Sequence, residues 1–309
     1  MNNRSKVTEF VFLGLSNLQE HQVLAFGLFL IIYLLTLLGN STIIAAIRTN
    51  PPLHTPMYFF LSNLALVDIC YVSCTVPKML SNFIADSRNI SFGGCMAQLY
   101  FFVALLATEC FLLTAMAFDR YCAICEPLRY ATIMNRYVCV GLVAGSWMGG
   151  CLYSTLHLVL ASQLSFCSAN EIQHFFCDLP PLLALSCSNT SANEAAIFVG
   201  GMLIGLSTFL LVLISYGHIF STVIKTHADG GRHRAFSTCG SHLAVFILFF
   251  GTLAFVYMRP ASSYSLQRDR LVSVVYSVLT PTLNPLIYSL RNKEMKRALR
   301  QVMHGKCAS

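Results

Sequence analysis

Charge is what this 309-residue sequence has least of: Asp, Glu, Lys and Arg make up 11% of it. A soluble domain carries about 25%. The shortage excludes a surface built wholly for water. Enzyme signatures are missing too. There is no glycine-rich phosphate loop, no His-Glu-x-x-His and no Gly-x-Ser-x-Gly, so the chemistry those spacings carry has no support here. No internal repeat is present, and the short alternating segments of a membrane β-barrel are absent. No cleavable signal peptide is evident, because the first apolar patch, Phe10 to Leu15, is too short for one. The first long apolar stretch is expected to direct insertion instead.

Hydrophobic residues make up 56% of the chain. A bilayer core needs about 20 mostly apolar residues per helix. Seven such stretches are present: Val23 to Ile47, Met57 to Met79, Met96 to Tyr121, Val138 to Leu160, Ala195 to Ile224, His242 to Met258 and Leu271 to Leu290. They must be helices, because lipid offers backbone groups no hydrogen-bond partner. The expected fold is an all-α bundle of seven transmembrane helices. It forms one domain over 1–309, with 1–22 outside, 23–290 as the bundle and 291–309 as a cytoplasmic tail.

An odd number of spans puts the termini on opposite sides. One side gathers thirteen Lys and Arg, among them Arg48, Arg120, Arg291 and Arg300, against four acids. On the other side seven basic residues face seven acidic ones. The basic side is cytoplasmic by the positive-inside rule, so the amino terminus lies outside. The basic excess implies contact with anionic lipid headgroups, not nucleic acid. Sequons at Asn3, Asn89 and Asn189 all fall on the outer side and are candidate glycosylation sites. Asn40-Ser-Thr also matches, but it lies within the first span.

The chain has thirteen cysteines, of which Cys95, Cys167, Cys177 and Cys187 fall on the outer side. Disulfides are expected in that oxidising space. Four cysteines allow three pairings, and spacing does not choose among them. The segment from Ala161 to Glu194 is long for a loop and reads as a stapled lid. His174-Phe-Phe-Cys177-Asp178 offers donors that suit a metal, but a cysteine tied in a disulfide cannot ligate, so no metal site is expected. Within the spans, Asp68, Glu109, Asn40 and Asn284 share a depth and are expected to meet between helices. Ionisable groups there are costly and mark function by default. The two carboxyls would hold a sodium ion or share a proton. No other cofactor is expected. A transporter or channel is the alternative reading, though seven spans without a repeat divide poorly into equal halves.

Asp119-Arg120-Tyr121 ends the third span, Asn284-Pro285-Leu286-Ile287-Tyr288 lies in the seventh, Leu64-Ala65-Leu66-Val67-Asp68 in the second and Trp147 in the fourth. Together they resemble the rhodopsin-like G-protein-coupled receptors. Leu53-His-Thr-Pro-Met-Tyr-Phe-Phe-Leu61, Met116-Ala-Phe-Asp-Arg-Tyr-Cys-Ala-Ile-Cys125, Ser215-Tyr216, Ala235-Phe-Ser-Thr-Cys-Gly-Ser-His242 and Pro281 to Asn292 narrow the resemblance to olfactory receptors. It covers essentially the whole chain. The outer loop is similar to the tetrapod-type (class II) branch. Phe118, Cys122 and Phe250 depart from that family's usual Tyr, Val and Tyr, and the last removes a hydroxyl from the expected pocket.

The resemblance implies pairing of Cys95 with Cys177 and of Cys167 with Cys187. It implies a stimulatory olfactory-type G protein, rising cyclic AMP and a plasma-membrane location. It also implies a pocket between the outer halves of spans three, five, six and seven. The residues expected there are Phe102, Val103, Leu106, Ala107 and Cys110 on the third, Gly201 and Ile204 on the fifth, Phe250, Leu253, Ala254 and Tyr257 on the sixth, and Ser277 on the seventh. Those outer halves hold no acid that would catch an amine. The ligand is then a small, uncharged, mostly hydrocarbon volatile odorant with room for one oxygen. Asp119, Arg120, Tyr121, Tyr216, Asn284, Pro285 and Tyr288 are expected to form the switch that engages the G protein. Arg120 would pair with Asp119 at rest. The tail from Arg291 to Lys306 reads as a basic amphipathic helix on the inner leaflet. Arg120→Ala is expected to keep surface display and ligand binding but lose the cyclic AMP response, and an intact response in that variant would remove Arg120 from the switch.

Overall fold

The computed structural model describes residues 7–13, 22–85, 88–167, 170–225, 240, 243, 246–257, 266–291 and 293–303. In chain order they form β1 (Glu9–Phe12), α1 (Gln22–Thr49), a 3-10 turn (Pro51–Leu53), α2 (Pro56–Ile84), β2 (Asn89–Ser91), α3 (Phe92–Cys125), α4 (Tyr130–Ile133) and α5 (Arg136–Ser162). Then come β3 (Glu171–Ile172), α6 (Leu179–Leu185), α7 (Ser191–Gly200), a π-helical stretch (Gly201–Leu206) and α8 (Ser207–Lys225). The last elements are α9 (Phe246–Tyr257), α10 (Leu266–Val274), a second π-helical stretch (Val275–Leu279), α11 (Thr280–Arg291) and α12 (Lys293–Met303).

Among the described residues, five helices are long and apolar enough to cross a membrane: α1, α2, α3, α5 and the run from Ser191 to Thr222. They match the first five expected spans and run past them by a few residues. The sixth is described over α9; its expected ends, His242 and Met258, lie outside the described residues. The seventh is the unbroken helical run from α10 to α11. Helix starts carry their own signals. Ser91 Oγ caps α3 by accepting from the Gly94 N–H at 3.1 Å, and Asn135 Oδ1 caps α5 by accepting from Val138 at 3.1 Å. Pro56 opens α2, where its missing N–H costs nothing.

The third span is the most enclosed of the five and packs against α2, α5 and α8. Small residues let α5 approach it closely. A Cβ on Gly150 would stand 2.5 Å from the Ala104 carbonyl oxygen and collide with Thr108. One turn further on, Ser154 Oγ donates to the Tyr100 carbonyl at 2.5 Å. Thr108 Oγ1 returns the contact to Ser146 O at 3.4 Å. At the opposite end of the chain, α12 turns away from the seventh span. It buries Met295 and Ala298 where it packs on α1 and on the turn at Pro51–Leu53. The expected amphipathic tail is therefore a helix from Lys293 to Met303.

The sequence pattern predicted no strands, yet three short ones form a sheet at the end of the bundle where α3 begins. β1 lies between β2, antiparallel, and β3, parallel. With two to four residues each, these strands are too short to announce themselves by alternation. What holds β1 is tertiary: Phe10 and Phe12 point inward and are buried, and Phe10 packs edge-on against Phe166 with ring centroids 5.1 Å apart.

The sheet belongs to a lid. Cys95 is bonded to Cys177 and Cys167 to Cys187, which ties the loop to the start of α3 and to itself. Gln98 Oε1 accepts from the Cys177 N–H at 2.9 Å. Arg270 grips Gln173 twice, at its carbonyl (2.9 Å) and its side-chain oxygen (2.8 Å). Buried Asp178 accepts from Tyr257 of α9 at 2.8 Å and 3.0 Å and from Tyr276 of the seventh span at 3.0 Å. One loop carboxylate thus joins the sixth span to the seventh.

Two predictions follow from this packing. Gly150→Leu is expected to abolish surface display, since overpacking costs about 1–3 kcal/mol even without a backbone collision. Gly141→Ala, where a Cβ meets nothing within 4 Å, should be displayed normally, and equal display of the two would contradict the close approach. The second concerns the lid. Burial pushes the Asp178 carboxyl from its ordinary 3.8 up to about 6, against the pull of its hydrogen bonds. The folded state then binds this proton more tightly than the unfolded chain does. The contribution of this group to stability is fully present below about pH 4 and is lost as the pH rises through about 6, about 3 kcal/mol in all. His174, pushed down to about 3 by burial and by Arg270, stays neutral across that window. Melting of the purified protein against pH should show the slope, and Asp178→Asn should flatten it. A slope that persists in Asp178→Asn would assign it to another group.

Candidate functional site: an apolar cavity beneath the lid

Under the lid lies a cavity of about 400 Å³ with an almost wholly apolar wall. That volume is within the range of small-molecule sites. Val103, Leu106, Ala107 and Cys110 come from α3, Gly201 and Ile204 from the fifth span, and Phe250, Leu253, Ala254 and Tyr257 from α9. All ten were expected from the sequence. Gly200 and Gly205 also line it, so the fifth span presents backbone to the cavity over its π-helical stretch. π-helical turns are often found at functional sites.

Two expected residues are placed elsewhere. Phe102 is fully buried against Tyr71, Phe176 and Tyr276, with ring centroids 5.0, 4.6 and 6.1 Å away. Each helix residue turns about 100° from the last. That swings Phe102 to the side of the stripe running through Val103, Ala107 and Cys110. Ser277 is buried too, and its hydroxyl donates to the Ser273 carbonyl at 2.5 Å. Among the described residues the seventh span lines none of the cavity, and the fourth does so instead through Tyr153 and His157. Leu179 of the lid, Ile197, Leu206, Phe209, Ile247 and Gly251 complete the wall. No residue of the fourth span was expected on this wall, because a single Tyr or His on an apolar helix has no spacing that marks it.

Polarity on the wall is sparse. Phe250 contributes only ring, tilted against Phe246 at 4.5 Å and Phe209 at 6.4 Å. Tyr257 has a hydroxyl, but Asp178 holds it. The sequence placed no acid near this pocket. The structure brings Asp178 to its rim from the loop, yet the carboxylate is taken by two tyrosines and is not on the wall.

Deeper in the bundle, Asn284 Nδ2 lies 3.1 Å from both carboxylate oxygens of Asp68. The same side chain stands beside Glu109. Glu109 Oε2 and Asn284 Oδ1 are buried with no hydrogen-bond partner. Three of the four polar residues expected to meet therefore do. Asn40 does not join them: it donates to Thr36 O at 3.1 Å and Pro281 O at 3.3 Å, and so bridges the first and seventh spans. Next to it a Cβ on Gly39 would stand 3.3 Å from Pro285, which fixes how closely those helices approach.

At the far end of α3 the buried Asp119 carboxylate accepts from the Tyr130 hydroxyl of α4 at 2.8 Å. Arg120 is close enough to act on Asp119 electrostatically. Tyr121 packs edge-on to His218, at 5.9 Å, and Tyr216 is buried near Phe220, at 6.3 Å. The side chain of Tyr288 lies outside the described residues. Tyr130 was missed from sequence, since nothing in its spacing marks it as a partner of Asp119. Of the sequons, Asn89 and Asn189 are exposed, and Asn3 lies outside the described residues. Asn89 Nδ2 donates to Glu9 across the sheet at 3.2 Å. Among the described residues no three metal-ligating side chains come together.

A family model described as "Olfactory receptor" matches residues 29–306. Olfactory receptor 1G1 of Gorilla gorilla gorilla is 52% identical over 301 residues, covering 97% of this chain and 96% of that one. Olfactory receptor 1f45 of Rattus norvegicus is 53% identical and Olfactory receptor 1C1 of Homo sapiens 51%, each over 301 residues with the same coverage. The match runs from within the first span, at residue 29, through the tail helix. It agrees with the membrane-spanning helices and with the absence of enzyme signatures. The chain belongs to the olfactory receptor family: it is a multi-pass membrane receptor, not an enzyme.

Proposed function

We propose that this receptor binds a small, uncharged, mostly apolar volatile molecule in the cavity beneath the lid and activates a stimulatory olfactory-type G protein, raising cyclic AMP. The observation that carries the reading is the cavity itself: about 400 Å³, lined almost entirely by carbon, between spans three to six. Nothing on its wall would neutralise a charged ligand. The glycines of the fifth span leave room for a compact hydrocarbon body. About ten heavy atoms at roughly 0.5–0.8 kcal/mol each correspond to micromolar affinity or weaker.

The amino terminus faces outward and the tail inward in the plasma membrane, supported by the excess of Lys and Arg at the end that bears Asp119 and Arg120. The lid then faces the odorant's side, and the G protein meets the end where Tyr130 holds Asp119. A ligand shifts the resting equilibrium only by its differential affinity for the two states. The Asp178 clamp gives a route for that difference. Tyr257 touches the cavity with its ring and the lid with its hydroxyl, so a ligand that moves the ring disturbs both spans.

The cluster of Asp68, Glu109 and Asn284 is proposed to hold a sodium ion or a shared proton. The support is two carboxyls and an unpartnered amide oxygen in one buried place. Replacing sodium by choline during melts of the purified receptor should lower the melting temperature, and Glu109→Gln should remove the difference. Equal melts in both salts would leave the proton alone.

The functional test is cyclic AMP in cells expressing the receptor with the olfactory G-protein subunit, challenged with small volatile organics. Half-maximal responses near or above micromolar are expected from uncharged ligands, with Arg120→Ala silent. A charged amine as the preferred agonist would overturn the ligand class. A ligand-evoked current that needs no G protein would favour the transporter or channel reading.

A further inference from the structure

Among the described residues, the wall of the cavity contains one imidazole whose polarity is unspent at both ring nitrogens. His157, on the fourth span, is 1% exposed, and neither Nδ1 nor Nε2 has a hydrogen-bond partner. Of the other polar groups around it, two are committed or weak, and the third, the Tyr153 hydroxyl, makes no hydrogen bond among the described residues either. Tyr257 is held by Asp178. Cys110 is a poor donor. Tyr153 crosses His157 edge-on at 4.5 Å and presses its hydroxyl against the backbone at Gly200, where a Cβ would collide with it. That contact braces the imidazole from behind.

A buried imidazole without a partner carries a standing cost that any hydrogen-bonding guest relieves. We propose that His157 is the specificity-determining contact of the cavity, and that it selects molecules with a single carbonyl or hydroxyl oxygen on a hydrocarbon frame. In its neutral form the ring offers one N–H and one lone pair. It can donate to a carbonyl or accept from an alcohol, with a small turn of the ring toward the cavity. Apart from the Tyr153 hydroxyl beside it, the remaining lining gives apolar contact and no direction, so His157 decides which end of the guest points at the fourth span. The proposal rests on the cavity being the odorant site, and it names the chemistry that site recognises.

The test uses medium-chain 2-alkanones, 2-alkanols and alkanes of the same length. Two readouts are compared: cyclic AMP in cells, and the melting-temperature shift of the purified full-length receptor. In the unmodified receptor an oxygenated member should act at roughly tenfold lower concentration than its alkane, the worth of one hydrogen bond in a dry site. His157→Phe should erase that difference while surface display and the alkane's effect persist. His157→Gln, which restores a donor and an acceptor, should recover part of it. His157→Leu is a second apolar variant should the phenyl ring not be accommodated. A preference that survives in His157→Phe or His157→Leu overturns the proposal. So does an equal loss for ketone and alkane, which would make His157 wall material only, or an absence of any shift by the ketones and alcohols in the unmodified receptor. Melting shifts that follow the expected pattern without any cyclic AMP response would sink the signalling reading and leave the His157 contact standing.

Discussion

Hydrocarbon gives a peptide group nothing to bond with, and the rest of this structure follows from that constraint. It forces the apolar stretches into helices and confines irregular backbone to the ends of the bundle. The sheet of β1, β2 and β3 and both disulfides sit at one end, beyond the reach of lipid. The two departures from α-helical bonding inside the spans, at Gly201–Leu206 and Val275–Leu279, keep every residue helical while changing the pitch. The first of these is where the fifth span turns its glycines to the cavity. Local loosening of a helix is the form of irregularity this solvent tolerates, and here it coincides with the cavity wall.

The same constraint governs the polar residues. Once buried they must find partners among themselves, and most do. Ser154 finds the Tyr100 carbonyl, Asn40 the carbonyls of Thr36 and Pro281, and Asp178 its two tyrosines. These bonds cross between elements far apart in sequence and set the distances between helices. Exceptions remain: Tyr71 Oη, Asn82 Oδ1 and Asn193 Nδ2 are buried without a hydrogen-bond partner. Glu109 Oε2 and Asn284 Oδ1 lie together in the heart of the bundle, and the His157 imidazole lies on the cavity wall.

The lid explains how an apolar cavity can speak to the helices around it. Its loop is tied to α3 by a disulfide and by Gln98, to α9 through Tyr257 and to the seventh span through Tyr276 and Arg270. Tyr257 belongs to both the cavity and the clamp. A guest that displaces its ring therefore changes a contact shared by three elements, although the guest itself touches only carbon there.

Much of this was legible in the sequence. Apolar length marked the spans, since the bilayer's thickness sets a length that no turn or loop can imitate. Val103, Leu106, Ala107 and Cys110 lay on one helical stripe, and that stripe does face the cavity. Phe102 was misplaced by a rotation of one residue, which spacing alone resolves poorly when neighbours are all apolar. Strands of two to four residues left no pattern, and His157 was not singled out because a lone histidine says nothing of what faces it. Tyr130 and Asp178 acquired partners 11 and 79 residues away. By itself the sequence determined which segments enter the membrane and which polar groups go with them, because transfer to lipid acts on each segment separately. Only the tertiary structure decided which of those groups meet, which are left unpaired and which face the cavity, because hydrogen bonds and packing act between segments and depend on rotations and distances that one-dimensional spacing does not carry.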